Sequence, residues 1–460
     1  MKQIRYFIAV LLTVALAAPA IAQEGKDKCK ALTCFIQSAK IHYKDVYKRS
    51  KLREDLYHCV DLLKEASSKF PDRPEVYYML GTFYAEINAL DTMVAYFDSA
   101  KTFCDDQSTP QEFRANCYAK DNYIKKMTAM RQDFWEREYN DGVSYLLQYD
   151  TVQAMIGRAP TPDSAAVLET MKAKAYELTK ACFEKAIIAK PSEERTYDGL
   201  AAILEREGKH EDAINLYMKA IELLGEDSAM VGRIAYAYIN IPDWPNAIMW
   251  FEKYLTYVPE DVNSLINLSV AYNASDNVEK WYEYTSRVLK IQPKNTQFLF
   301  NAGQYWFVRM QEMASEMAAI TDSTPAGLAR RAEMETKINS DRDSAAAYFE
   351  ENVRVSPEDK DALKRLGILY LLSGDNHKAI AAFEQFATLD TTDPDVLDFL
   401  GRAYINLEQF EKAIGTYEQL LMIQPNNAEI WERLEELYRY NGMPEKADEA
   451  AQNAAKLKNP

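Results

Sequence analysis

The sequence predicts an all-α, right-handed superhelical solenoid of helix–turn–helix repeats with two inserted helical hairpins. Three observations carry that prediction. Prolines return on a 34-residue step: Pro259 to Pro293 is one step, and Pro191 to Pro259 and Pro357 to Pro425 are two each. Between them apolar residues recur at offsets of three and four, the spacing that lines one face of a helix. Glycine is scarce, at 15 of 460 residues, which suits long helices. A repeat this short, made of two helices, cannot bury its apolar side alone and must stack on its neighbours.

The N-terminus reads differently from the rest. Lys2 and Arg5 lead an apolar run from Tyr6 to Ala18, and Ala20-Ile21-Ala22 places small residues where a signal peptidase reads. Residues 1–22 are therefore expected to be a signal peptide cleaved after Ala22, and the mature chain to be exported, periplasmic or secreted. No second apolar run of about 18 residues follows, so no membrane span is expected after cleavage. Cys29 follows Lys26-Asp27-Lys28 and lacks the small apolar setting of a lipid-anchored cysteine.

The formal charge is −16, and two units more negative once Lys2 and Arg5 leave. An acidic surface repels phosphate backbones, which argues against a nucleic-acid partner. Six cysteines, at 29, 34, 59, 104, 117 and 182, suggest disulfides in an oxidising compartment. Cys104 and Cys117 bracket the turn signal Gln107-Ser108-Thr109-Pro110 and are the first pair expected to bridge. Cys59 with Cys34 or Cys29 is the second. Cys29 and Cys34 on one helix would stand about 7.5 Å apart along its axis, beyond the usual reach of a bridge. Cys182, beside Phe183, reads as a free buried thiol.

The repeats can be followed along the chain. One carries Tyr77, Leu80, Gly81 and Tyr84, then Met93, Phe97 and Ala100; another Tyr197, Leu200, Ala201 and Leu204, then Ala213, Tyr217 and Ala220. Later ones carry Leu363, Leu366, Gly367 and Tyr370 with Ala379, Phe383 and Phe386, then Leu397, Leu400, Gly401 and Tyr404 with Ala413, Tyr417 and Leu420. The last carries Trp431, Leu434 and Tyr438, then Ala447, Ala451 and Ala454. The small residues Gly81, Gly367 and Gly401 should let the two helices of a repeat approach closely. The rings of Tyr84, Phe97 and Phe383 should fill the gap to the next repeat. Gly208, Gly374 and Gly442 fall where the chain turns between helices, and the prolines follow the second helix.

Two repeats are interrupted. The helix of Gly142 and Tyr145 meets its partner ring late, at Phe183, and that of Gly303 and Trp306 meets Phe349 late. The intervening residues open as turns at Ala159-Pro160-Thr161-Pro162 and Thr324-Pro325-Ala326-Gly327. Residues 110–130 add a helical stretch, Phe113 to Met130, outside the repeat count. The organisation expected is a cysteine-containing segment with the first repeats at 23–130, a central array at 131–310, an insert at 311–342 and C-terminal repeats at 343–460.

This pattern resembles the tetratricopeptide-repeat family over most of residues 40–458. The resemblance implies nine or ten paired-helix repeats and a concave wall lined by the first helix of each. On that wall the stripe positions give Tyr236 and Ile239, then Asn263, Ile266, Val270 and Asn273, then Gln297, Phe300, Gln304 and Phe307. Apolar centres with amide groups can clasp an extended peptide: rings bury side chains and amides pair with its backbone. The stripe Asp395, Asp398 and Arg402 with Glu429, Glu432, Glu436 and Arg439 is charged instead. The lysine, asparagine and arginine set of the family's carboxylate clamp is not found.

Catalytic patterns are missing from the sequence. His210-Glu211 begins like a zinc-protease motif, but Ile214 stands where the second histidine belongs. There is no phosphate loop, Cys-x-x-Cys pair or nucleophile elbow. The expectation is a non-enzymatic scaffold or adaptor of the cell envelope, without cofactor or metal, binding a protein or peptide partner in that groove. The alternative is an envelope protein binding a glycan or small ligand there.

Overall fold

A computed structural model describes residues 32–119 and 122–458. The expected signal peptide and the pairings considered for Cys29 lie outside the described residues. Among the described residues all regular structure is helical. The chain forms two compact units, divided between Ala237 and Tyr238.

The first unit opens with α1 (Leu32–Ile41), which runs on through a π-helical stretch, His42–Tyr47, to Ser50. Then come α2 (Arg53–Lys69), α3 (Pro74–Glu86), α4 (Leu90–Asp105), the short α5 (Gln111–Tyr118), α6 (Tyr123–Ile156), α7 (Pro162–Ala189), α8 (Glu194–Arg206) and α9 (His210–Leu224). The division falls within α10 (Ser228–Asn240). The second unit continues with α11 (Trp244–Tyr257), α12 (Val262–Ala274), α13 (Val278–Ile291), α14 (Thr296–Ala319) and α15 (Pro325–Val355). It ends with α16 (Lys360–Ser373), α17 (Asn376–Leu389), α18 (Pro394–Asn406), α19 (Phe410–Ile423), α20 (Ala428–Tyr440) and α21 (Pro444–Lys458).

Local chemistry sets the helix ends. Asp261, Asn295, Asp359 and Asp393 each accept the backbone N–H three residues on, capping α12, α14, α16 and α18. Between the helices of a pair the chain turns through a left-handed residue. Gly374 supplies it at φ 81°, while Glu408 occupies the matching turn of the next repeat at φ 56°.

Within several pairs a glycine of the first helix faces a ring of the second. A Cβ added to Gly81 would lie 2.3 Å from the Phe97 ring, one on Gly367 2.4 Å from Phe383, and one on Gly401 2.6 Å from Tyr417. Phe97 and Phe383 thus fill the space inside their own repeat, not the gap to the next one as their spacing suggested. Phe383 also stacks on Phe399 of the following helix pair, with centroids 5.9 Å apart. Ser269 and Thr285 take the two positions in the α12–α13 pair and meet as a buried hydroxyl pair at 3.0 Å.

The interrupted repeats keep the same contact. Phe183 lies against Gly142 of its own pair and Gly199 of the next, and Phe349 lies against Gly303. The extra residues lengthen both helices of each pair: α6 and α7 have 34 and 28 residues, α14 and α15 have 24 and 31. Each inserted hairpin is thus a continuation of a repeat. Polar contacts tie the first one to the end of α8: Arg206 pairs with Asp150 (2.6 Å), Tyr149 donates to Glu207 (2.5 Å) and Lys209 donates to Tyr176 (2.7 Å). In the second, Arg309 pairs with the buried Asp341 (3.2 Å). The stretch 110–130 breaks in two at Asn122, a left-handed residue whose side chain caps α6.

Another device recurs between repeats. Tyr272, Tyr370, Tyr404 and Tyr438 each donate to a glutamate 20 residues earlier, on the second helix of the preceding pair: Glu252, Glu350, Glu384 and Glu418. Lys378, Lys412 and Lys446 lie over the last three rings, 5.0–5.2 Å from their centroids. Tyr84 keeps the geometry with an inverted partner, Lys64.

Cys104 and Cys117 are bridged, joining α4 to α5 with Cα atoms 5.7 Å apart. Cys34 is also disulfide-bonded. Cys59 is not its partner: it is a free thiol, fully buried in the core of α1–α3 with Leu56, Leu63 and Leu80. Its location there makes it a packing residue, and burial pushes its thiol up to about 12. Cys182 is the free buried thiol expected.

Two predictions follow from these contacts. Gly367→Ala should destabilise the chain by about 1–3 kcal/mol through overpacking against Phe383, read by urea denaturation. Gly415→Ala, on an open face of α19 with nothing within 4 Å, should instead stabilise it by about 0.4–1 kcal/mol. The ladder tyrosines have raised pKa values, first from burial and then from the hydrogen bond to glutamate. Their stabilisation is therefore complete below about pH 10, the unfolded value, and is lost as pH rises above it. Replacing all four by phenylalanine should flatten the fall of the urea midpoint at alkaline pH.

Candidate functional site

The stripe read from the sequence is distributed over both units. On the first, Tyr236 projects from α10 with 39% of its surface exposed. One turn before it, Arg233 is ion-paired with Asp198 of α8 and lies over the Tyr217 ring. Ile239, half-buried, falls in the second unit.

The second unit holds the rest. On α12, Asn263, Val270 and Asn273 are exposed, Val270 by 49%, and Ile266 is half-buried between them. On α14, Gln297 is exposed and donates to Asn301 (3.1 Å), and Phe300 is half-buried, edge-on to Phe349. Gln304 is also half-buried, and its Oε1 is shielded from solvent without a hydrogen-bond partner. A buried acceptor left unpaired costs free energy and is the kind of group a ligand donor can satisfy.

Phe307 is a correction to the stripe. It is 1% exposed and belongs to the core formed with Met310, Ala345, Phe349, Ala362, Leu366 and Leu369, beneath the Arg365 guanidinium. The reason is that α15 and the following helix α16 both cover it.

Two further residues were missed. Asn267 and Asn301 are half-buried one turn after Asn263 and Gln297, on the same helix faces. The i to i+4 spacing of the amides was the signal that could have found them. Part of the charged stripe of α18 and α20 is paired: Asp395 with Lys364, Asp398 with Arg402, and Glu432 with Lys458. Among the described residues no group of histidine, cysteine, aspartate and glutamate side chains is placed to hold a metal. None of the stripe residues on α12 and α14 is titratable, so the stripe acts by burial and hydrogen bonding.

Sequence models of the tetratricopeptide repeat match residues 194–223, which are α8 and α9, and residues 339–394 and 370–437, from α15 to α20. Those stretches are tetratricopeptide repeats. No curated protein matches it in sequence. Among solved structures, it is similar to MamA at 18% identity, over 44% of this chain and 93% of that one, with a TM-score of 0.33. MamA from Desulfovibrio magneticus RS-1 gives 17%, 43%, 94% and 0.32. YrrB, described as a tetratricopeptide-repeat protein with an unusual peptide-binding site, gives 17%, 45%, 91% and 0.35. As a tetratricopeptide-repeat array the chain is a protein-interaction scaffold, and no helix among the described residues is long and apolar enough to cross a membrane.

Gln304→Met should leave stability unchanged or raise it by about 1 kcal/mol, because it removes a shielded acceptor that has no partner. Urea denaturation measures the difference.

Proposed function

We propose that this protein is a non-catalytic adaptor of the cell envelope that binds an extended protein segment along the first-helix surface of α12 and α14. The observation that carries the reading is the pairing of exposed amides with partly exposed apolar groups. Asn263, Asn273 and Gln297 can hydrogen-bond a peptide backbone, while Ile266, Val270 and Phe300 can take its side chains. No charge in that set competes for water. The Cys104–Cys117 bridge supports an oxidising compartment, in keeping with the signal sequence read at the N-terminus.

The mechanism is burial of surface, with no bond made or broken. Phe300 braces Phe349, so a truncation there mixes binding with folding. Val270 and Asn263 separate the two because both are exposed.

A photo-crosslinking side chain at Val270 should capture a protein partner in cells. The double variant Asn263→Ala/Asn273→Ala should weaken that partner's binding to the purified chain at least about ten-fold, a loss of about 1.4 kcal/mol. Its stability should change by no more than about 0.5 kcal/mol. Binding unchanged in the double variant would place the partner elsewhere, and a protease-resistant glycan adduct would favour the carbohydrate alternative.

A further inference from the structure

The first unit contains a concavity that the repeat pattern does not explain. In an ordinary pair the first helix starts level with the end of the second. Here α6 begins early: the repeat positions place Gly142 eighth, so the pattern starts at Trp135, yet the helix starts at Tyr123. The added turns project past the end of α7 and lie beside the C-terminal half of α4. Between them and the turn after α7 is a pocket of about 350 Å³, at the small end of the ~300–1,000 Å³ range of ligand sites.

Its walls are apolar: Phe97 from α4, Ile124 and Met127 from the added turns of α6, and Ala189 and Pro191 below. Its rim is basic in a chain of formal charge −16. Two of the rim cations are already engaged. Arg131 is ion-paired with Asp98 and donates to the Val94 carbonyl, and Lys190 bonds Gln132 and Glu193. These contacts fix the walls. Lys101, also on the rim, has no ion-pair or hydrogen-bond partner among the described residues, and neither has the Ser192 hydroxyl. One uncommitted ammonium and one hydroxyl suit a single carboxylate; a phosphate dianion favours several donors, arginine above all. The Cys104–Cys117 bridge lies one turn beyond Lys101 and joins α4 to α5.

We infer that this pocket is a second binding site, taking one apolar side chain with a carboxylate beside it, the C-terminal residue of a partner polypeptide. The polypeptide source follows from the scaffold character of the array; the pocket chemistry does not depend on the α12–α14 groove. A chain end is the position where an apolar side chain and a carboxylate share one carbon, matching a residue-sized apolar hole with one uncommitted cation at its lip.

Methyl NMR of the full chain tests this, with the Ile124 and Met127 methyl groups as reporters. Titration with N-acetylleucine should move both signals saturably. N-acetylleucinamide should bind several-fold more weakly. Lys101→Gln, a surface change that leaves the walls intact, should reduce N-acetylleucine to the affinity of the amide, whereas Lys219→Gln should not. The inference is overturned if neither signal moves, if acid and amide bind alike, or if octanoate shifts the reporters and N-acetylleucine does not. The last result would identify a site for free carboxylic acids. Loss of the groove partner by Asn263→Ala/Asn273→Ala would leave all these titrations unchanged.

Discussion

A ring laid against bare backbone holds five of the helix pairs together. Gly81, Gly142, Gly303, Gly367 and Gly401 each offer a surface with no Cβ, and Phe97, Phe183, Phe349, Phe383 and Tyr417 occupy it more closely than an ordinary Cβ contact allows. The contact fixes how close the two helices lie, and that closeness decides which other residues fall inside. In a protein whose repeats touch only their neighbours, a spacing set inside one pair passes to the next through shared rings. Phe183, which meets glycines of two pairs, is the clearest case.

The contact also accounts for how the chain tolerates its insertions. Lengthening α6 and α7, or α14 and α15, leaves the glycine and its ring in register, so added turns extend the pair without disturbing the stack. The early start of α6 opens a cavity where an ordinary repeat would have none. New surface in this fold arises from unequal helix lengths. The α12–α14 region, with the Ser269–Thr285 pair in place of glycine and ring, keeps ordinary helix lengths on α12 and α13.

The paired-helix architecture was legible because its signal repeats: Gly367 and Phe383, then Gly401 and Tyr417, show the same two positions one period apart. The Cys104–Cys117 bridge was legible because a turn signal stands between its ends. What escaped is what depends on another helix pair. The glutamates opposite Tyr370, Tyr404 and Tyr438 recur 20 residues upstream, yet nothing local to a glutamate marks it as a ring's partner. Cys59 was assigned to a bridge from its residue type, but burial among α1–α3 made it a packing thiol. In the candidate groove Asn263, Val270, Asn273 and Gln297 are exposed as their positions suggested. Phe307 is not, because the helix period says which face a residue takes and not what covers that face.

Charge and its absence divide the surface into different tasks. Along α16 to α21 acidic and basic groups satisfy one another: Asp393 and Asp395 share Lys364, Asp398 faces Arg402, and Glu418 serves both Tyr438 and Lys446. Such exposed pairs add little stability each. On α12 and α14 the amides of Asn263, Asn273 and Gln297 carry no charge to be neutralised, and Gln304 retains an acceptor that the fold does not meet. An amide asks for one donor and one acceptor, which is what an extended backbone supplies. A helix surface that leaves uncharged amides open is suited to hold a neutral backbone, with selectivity set by the apolar groups alongside.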